Sequence, residues 1–582
     1  MAILYPTCEN IKRLKVQPTE GEMFLIKHFF KYLSDEIEIF FQPFVDGDRP
    51  DIILLQKNAG ISIIEVKDWN LEAYYIDNNN WHLRKNNQII KSPFRQVEAY
   101  KNNIFDFHIN GLLEEKINNK KLYGKINTFV YFHKSTQYNL NNLNDKTKKD
   151  LQYSSVGNDY ITKIRLPKKD FLFTDKIYEE FKRILQPPLH VLEQGILIKY
   201  TKQQSSLIIS DNKQQKISGV AGSGKTSVLA KRSVNAHKRH GENVLILTFN
   251  ITLKQYIHDR ISDVRENFNW KFFYISNYHE FMNRTFNNLG IDIENINFYS
   301  NENIFDDYKN KNKINKYKSI FIDEVQDYQP EWIKIIKKYF LEENGEFVVF
   351  GDEKQNIYRR ELDKEDKKPY TGIKGNWNRL EKPIRYKGDG EKILHLALIF
   401  QKVFLKSYEI DQNYFQKNNF GIGLNIFDYK PFESNKNNVM EIGKKILEKI
   451  KIEKLHPNDV AILCLNISFL QELENFYKTN KIKTITTFEQ VKHRDSEDSK
   501  KIRKSKKVGF NPNNGMMKIA TIHSFKGYEI ETLFLIIDDD YRDKHHEAFY
   551  TALTRSRFNL FIFNNIKNIS YDNFFKKYMN TI

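Results

Sequence analysis

The chain has 582 residues, with 92 Lys or Arg against 74 Asp or Glu and a net charge of +18. That length predicts three or four domains of roughly 150 residues each, with ample material for buried cores. Mean hydropathy is −0.62 and no run approaches the ~20 apolar residues of a membrane span, which argues against an integral membrane protein.

The first segment, MAILYPTCENIKRLKV, lacks the basic stretch and long apolar run of a secretory signal. Cys8 and Cys464 are too far apart for a disulfide scaffold or a Cys-only zinc site, and such sparse cysteine suits a reducing cytoplasm. The positive balance invites a polyanion partner. Abundant Asn, Lys, Ile, Phe and Tyr are also what AT-rich codons produce, so charge alone does not decide for nucleic acid.

In chain order, a helical pattern over 21–33 is followed by apolar strands at 52–55, 61–66 and 126–132. This alternation predicts a small α/β domain over 1–135. Within it, Asp51, Glu65 and Lys67 form D-x13-E-x-K. Strand period two puts Glu65 and Lys67 on one face and Ile64 and Val66 on the other. A turn centred on Asn58-Ala59 brings Asp51 near Glu65 across the hairpin. Two carboxylates converging with a lysine suit one or two Mg2+ ions (Mn2+ also fits) that activate water and stabilise a pentavalent phosphate. The plain alternative is an exposed hairpin with a Glu–Lys pair. Ser92 and Pro93 predict the cap and first residue of a helix, which sets Gln96 and Tyr100 at i, i+4 on one face. Gly21 and Glu22 open an earlier helix, where Glu22 is either a further metal ligand or a helix-start acid.

Residues 136–195, polar and carrying Pro167 and Pro187-Pro188, read as a connector with one helix over 177–186. Beyond 196, continuous apolar runs recur at 244–249, 319–323, 347–352, 460–465, 518–523, 532–537 and 560–563, as buried parallel strands require. The stretch 491–508 holds eight basic and three acidic residues and reads as a mobile loop able to contact nucleic acid.

The most specific motif is Gly219-Val-Ala-Gly222-Ser-Gly224-Lys225-Thr226, a complete GxxxxGK[ST] phosphate loop opening a helix. Its glycines let backbone N–H groups curl around phosphate oxygens at a helix N-terminus. Lys225 is placed to neutralise the β and γ phosphates of ATP, and Thr226 to bind Mg2+. A second strand ends in Asp323-Glu324, where the Asp holds Mg2+ and the Glu polarises the attacking water.

With these residues in place, a family resemblance is evident. DEVQD (323–327) resembles motif II of UvrD-like superfamily-one DNA helicases. VFGDEKQNIY (349–358) resembles motif III, with Gln355 as γ-phosphate sensor, and LEKPIRY (380–386) resembles motif IV, with Arg385 as phosphate ligand. IATIHSFKGYEIETLFL (519–535) resembles motif V, with Glu529 in its Gly-x-Glu element. YTALTRSR (550–557) resembles motif VI, with Arg555 in the position of the arginine finger. LTFNITLKQYI (247–257) and YISNYHEFM (274–282) resemble the DNA-facing motifs of the first domain. TKQQSSLI (201–208) resembles the adenine-reading glutamine motif, Gln204 being favoured over Gln203. The sequence departs from the family at Ile384, where a Tyr is usual, and at Arg360, where a Trp is common. At the N-terminus, IIEVKDW, Trp81 and SPFRQVEAY resemble the nuclease-related (NERD) domain, akin to PD-(D/E)xK and RecB-like nucleases.

These resemblances imply an α/β chain: a PD-(D/E)xK-like nuclease domain over 1–135, the connector, and two RecA-like parallel-sheet domains. The first spans 196–375 with a small insertion, the second 376–582 with a vestigial insertion near 480–515. They imply an ATP-dependent, Mg2+-using cytoplasmic enzyme acting on single-stranded DNA and duplex ends or junctions, with 3′→5′ movement, similar to bacterial anti-phage nuclease-helicases. Two rivals stand beside this reading. One is a repair helicase whose N-terminal domain only binds DNA. The other is an ATP-gated DNA-sensing module without unwinding.

Overall fold

The computed structural model describes residues 1–45, 47–77, 80–105, 112, 119–141, 154–293, 296–306, 314–362, 368–381, 391–411, 426–433, 438–490, 497–541 and 544–579. The N-terminal region carries β1 (Ile3–Tyr5), β2 (Ile37–Phe41), β3 (Ile52–Gln56), β4 (Gly60–Lys67), β5 (Tyr74–Asp77), β6 (Asn80–Leu83), β7 (Ile89–Ile90), β8 (Ile126–Phe132) and β9 (Ser155–Gly157). One mixed sheet runs β1-β2-β3-β4-β8-β9, and β5, β6 and β7 form a separate antiparallel sheet. The β3–β4 hairpin pairs Ile52 with Ile64, so Asp51 comes opposite Glu65. Its turn centres on Asn58, whose φ of +59° is left-handed, a conformation Asn tolerates.

Period two decides what covers this sheet. Ile52, Leu54, Ile64 and Val66 share a core with Leu25, Ile26 and Phe29 of helix α1 (Glu20–Tyr32). Ile53, Leu55, Ile61 and Ile63 pack with Val97 and Tyr100 of α2 (Pro93–Asn103) on the opposite face. Glu65 and Lys67 therefore lie on the α2 side.

The 136–195 stretch holds more structure than its polar composition suggests. β9 joins the N-terminal sheet beside β8. Phe173, together with Ile177, Phe181, Ile184 and Leu185 of α3 (Asp175–Leu185), completes the α2-side core. The helical period of α3, not the segment's average polarity, governs the packing.

The first of two parallel sheets contains β10 (Gln214–Gly219), β11 (Val244–Thr248), β12 (Phe273–Asn277), β13 (Tyr317–Ile322), β14 (Leu341–Gly351) and β15 (Asn378–Leu380). They are parallel in the order β12-β11-β13-β14-β10-β15. The second contains β16 (Phe427–Phe432), β17 (Val460–Cys464), β18 (Thr484–Thr486), β19 (Met517–Thr521), β20 (Ile530–Ile537) and β21 (Ser556–Asn565), parallel in the order β16-β21-β20-β17-β19-β18. Each sheet is flanked by an apolar core on both faces, as buried parallel strands demand. The expected loop at 491–508 is corrected over its described part: Glu497–Val508 is a helix. Arg503 pairs with Glu489 at 2.5 Å and the Lys506 ammonium donates to Thr486 Oγ1 at 2.8 Å, so tertiary anchoring overrides the low-complexity composition.

The N-terminal region sits on the domain of the second parallel sheet. Arg183 Nη1 donates to Leu455 O at 2.8 Å, and the Leu189 N–H to Asp459 Oδ2 at 2.9 Å. Arg557 grips Glu193 with two bonds of 2.6 and 2.8 Å, and buried His456 lies 3.0 Å from Ile184 O. Among the described residues no helix is long and apolar enough to cross a membrane.

Candidate active sites

In the N-terminal region, α1 begins with a capping box. Thr19 accepts from the Glu22 N–H, and Glu22 Oε2 accepts from the Thr19 N–H at 2.7 Å. Gly21 lets this helix end press against the end of β4: a Cβ there would collide with Asp68 Oδ1. The second Glu22 oxygen accepts from Gln42 Nε2 at 2.9 Å. Both Glu22 oxygens are thus engaged in holding the helix start.

Asp51 Oδ2 accepts from the Val66 N–H at 2.7 Å. Glu65, only 2% exposed, accepts from Lys67 Nζ through Oε1 at 2.6 Å, while its Oε2 is buried with no hydrogen-bond partner. Burial, and then the adjacent Glu65 charge, push the Asp51 carboxyl up to about 8. Burial also raises Glu65, against the pull of Lys67. Gln96 Nε2 donates to Tyr100 OH at 2.7 Å on α2. Burial, with a contribution from the Glu65 and Asp51 charges, pushes that phenol up to about 12. The fold brings Asp51, Glu65 and Lys67 together, with the Gln96–Tyr100 pair over the same face.

Two reluctant carboxylates and an orphaned carboxylate oxygen form a donor set that fits a divalent cation completed by water. Among the described residues, no cluster of three or more His, Cys, Asp or Glu side chains is placed to hold a metal.

In the domain of the first parallel sheet, β10 ends at Gly219 and α4 (Lys225–His240) begins after Gly224. Gly222 and Gly224 have φ of +77° and +81°, the left-handed turns that aim successive N–H groups inward. Lys225 Nζ donates to Gly219 O at 2.7 Å and lies 3.7 Å from Asp352. Thr226 follows in the first helical turn. Gln204, buried, donates to Ser223 O at 2.9 Å and accepts from the Thr201 N–H at 2.9 Å. In this arrangement its amide braces the phosphate loop, while Gln203 bonds the backbone of Arg379 and Glu381.

Asp323 sits at the end of β13, its N–H donating to Leu247 O at 2.9 Å. Burial, then Glu324, push it up to about 7 against Lys225. Burial alone would also raise Asp352, but Lys225 and Lys354 beside it bring it below its ordinary value. Gln355 Nε2 donates to Asp352 at 2.7 Å.

The second domain reaches across this surface. Arg555 Nη2 donates to Gln355 Oε1 at 3.0 Å. Lys526 Nζ donates to both Asp327 oxygens at 2.7 and 2.8 Å and to Gln355 O at 2.6 Å. Asn250 and Thr252 of the first domain bond Ser524 O at 3.1 and 3.0 Å. Glu529 lies 3.5 Å from Tyr256 OH, on this domain boundary. Arg385 lies outside the described residues.

Lys526, Asp327 and Asp352 escaped selection at the sequence level, though each lies within a motif already quoted. Only their joint burial separates them from ordinary surface charges. Arg360, at the position where the family often has Trp, sets its guanidinium over the rings of Trp332 (5.4 Å) and Phe249 (5.8 Å) and donates to Asp327 O at 3.1 Å.

Fold and sites together define two parallel-sheet α/β domains bridged beside a phosphate loop and joined to an acid-centred module. Residues 18–133 match the nuclease-related domain family and residues 203–361 an AAA domain family. The chain thus combines a nuclease-related domain with an AAA domain typical of UvrD-like helicases, a pairing that implies nucleotide and DNA binding. No curated protein matches the chain.

Proposed function

We propose that the chain is an ATP-driven DNA helicase or translocase whose N-terminal site cuts DNA with Mg2+ or Mn2+. The observation that carries this is the joint presence of a bridged phosphate-loop site, with Arg555 and Lys526 meeting Gln355 across two domains, and the Asp51–Glu65–Lys67 constellation.

At the motor site, Lys225 exchanges its bond to Gly219 O for phosphate oxygens, and Asp323 and Thr226 hold Mg2+. Glu324 takes the proton of the attacking water. Gln355, Arg385 and Arg555 sense and neutralise the γ-phosphate as the domains close. Glu529 and Gln204 act one step back, at the domain boundary and behind the loop. Opening and closing of the two domains then move the strand.

At the N-terminal site, Asp51 and Glu65 hold the divalent ion, which supplies charge neutralisation and water activation when bound. Lys67 orients the water, and Gln96 fixes the substrate side through its pairing with Tyr100. The resemblance to anti-phage nuclease-helicases extends the proposal to destruction of invading DNA in the cytoplasm.

A second reading, DNA binding without cleavage at the N-terminus, is favoured by the absence of a third metal-capable side chain among the described residues. DNA-stimulated ATP turnover tests the motor: Lys225→Ala is expected to abolish it, and near-normal turnover in that variant would sink the assignment. Cleavage of labelled DNA with Mg2+ separates the two N-terminal readings.

A further inference from the structure

The N-terminal acid site has more negative than positive side chains, yet a nuclease must hold a polyanion against it. Asp51 and Glu65 converge there within reach of the Glu22 charge, and Lys67 is committed to Glu65. Four cations elsewhere in this region are held in ion pairs: Lys57 with Asp175, Lys125 with Asp170, Lys169 with Glu36 and Lys182 with Glu38.

Arg49 and Lys91 differ. Both are exposed, and neither makes an ion pair with any described residue. Each nevertheless stands beside the acid site. Arg49 is two residues before Asp51 and feels the charges of Glu22 and Asp51. Lys91 directly precedes the Ser92 cap of α2, the helix that carries Gln96, and its field reaches Glu65.

Arg49 is also preorganised. Its guanidinium lies 4.6 Å from the centroid of the Phe44 ring. Val45 and Asp48 exchange backbone bonds of 2.9 and 2.8 Å, and Asn103 of α2 donates to Asp48 at 2.8 Å. The Phe44 ring meets His190 edge-on at 5.0 Å, and Phe44 O lies 3.3 Å from His456 Nε2 of the second motor domain. The motor domain thus helps to fix the platform on which Arg49 rests.

We propose that Arg49 and Lys91 form a phosphate clamp that holds the DNA backbone on either side of the bond presented to Asp51 and Glu65. The inference rests on the nuclease reading of that site. A guanidinium resting over an aromatic ring suits it, because Arg is weakly hydrated and can fork onto phosphate while it keeps that contact. Two such contacts position a strand without reading its bases.

The 582-residue chain tests this with a short labelled DNA duplex. In Mg2+, Arg49→Ala with Lys91→Ala is expected to raise the KM for cleavage about tenfold or more, with kcat changed less than about threefold. The salt dependence of KM should become shallower by about two, one for each lost phosphate contact. Arg49→Lys should recover part of the loss, and an unchanged melting temperature reports intact folding.

A second readout does not need cleavage: with Ca2+ in place of Mg2+, DNA should protect the 37–67 and 80–103 backbone amides from hydrogen exchange in the wild type but not in the double variant. Clamp-dependent protection in a chain that never cuts DNA would overturn the nuclease reading and leave the clamp standing. Unchanged KM with unchanged protection would overturn the clamp.

Discussion

The motor site and the N-terminal acid site both gather carboxylates at strand ends, but they neutralise them by different means. In the motor, each key acid has a protein cation close by: Asp327 has Lys526, and Asp352 has Lys225 and Lys354. One of those cations, Lys526, comes from the other domain, so the charge balance at Asp327 depends on the two domains meeting. At the N-terminal site Lys67 serves Glu65, while Asp51 is pushed up to about 8 and Glu65 Oε2 is left without a partner. On the proposed function, domain closure completes the first centre and a divalent cation the second, so that one chain can run both on phosphate chemistry without one set of charges serving both.

The largest effect that could break this contrast is at the interdomain arginine. Arg555→Ala removes the group that bonds Gln355 and is expected to lower DNA-stimulated ATP turnover by about a thousandfold. It should leave metal-dependent cleavage measurable on short DNA. Next come Glu65→Ala and Lys67→Ala, each expected to reduce cleavage by about a hundredfold or more while ATP turnover stays within twofold. Loss of both activities in either variant would mean that the two centres are not chemically separate.

Lys526→Met strands Asp327 in a buried setting that already pushes it up to about 7. Breaking such a pair costs about 3 kcal/mol, read as a lower melting temperature of the motor domains. Adding Asp327→Asn should recover most of it.

The smallest effect is a pH dependence. With Asp51 raised to about 8 from its ordinary 3.8, the folded metal-free protein retains a proton there that the unfolded chain has lost. The associated stability is full below about pH 4 and is lost as pH rises toward 8. A divalent ion must displace that proton, so its affinity should increase by about tenfold per pH unit from 6 to 8. Asp51→Asn, followed by calorimetry with Mn2+, should flatten the dependence.

The contrast also explains what was legible in the sequence. The phosphate loop is local: Gly219 to Thr226 form it from consecutive residues, so their spacing announces the geometry. The β3–β4 hairpin is nearly as local, and the facing of Asp51 and Glu65 follows from period two and one turn. The continuous apolar runs marked the parallel strands because they are buried on both faces. The rest depends on long-range packing. Nothing near Phe173 or Phe181 announces that they close a core built by residues 40–132. Arg503 finds Glu489 only in the fold, so a basic low-complexity stretch becomes a helix. The bond between Lys526 and Asp327 spans two domains, and the orphaned Glu65 Oε2 is visible only once burial is known. Gln204 likewise matches an adenine-reading motif in sequence, yet its amide braces Thr201 and Ser223.

The central claim, two separable phosphate chemistries in one chain, is tested most directly with the purified 582-residue chain on end-labelled single- and double-stranded DNA. Products and phosphate release are followed with Mg2+ or Mn2+, with and without ATP, for the wild type, Lys225→Ala and Glu65→Ala. The account expects metal-dependent cleavage and DNA-stimulated ATP turnover in the wild type, turnover alone in Glu65→Ala, and cleavage of short DNA alone in Lys225→Ala. Cleavage that survives Glu65→Ala, or turnover that survives Lys225→Ala, would contradict it.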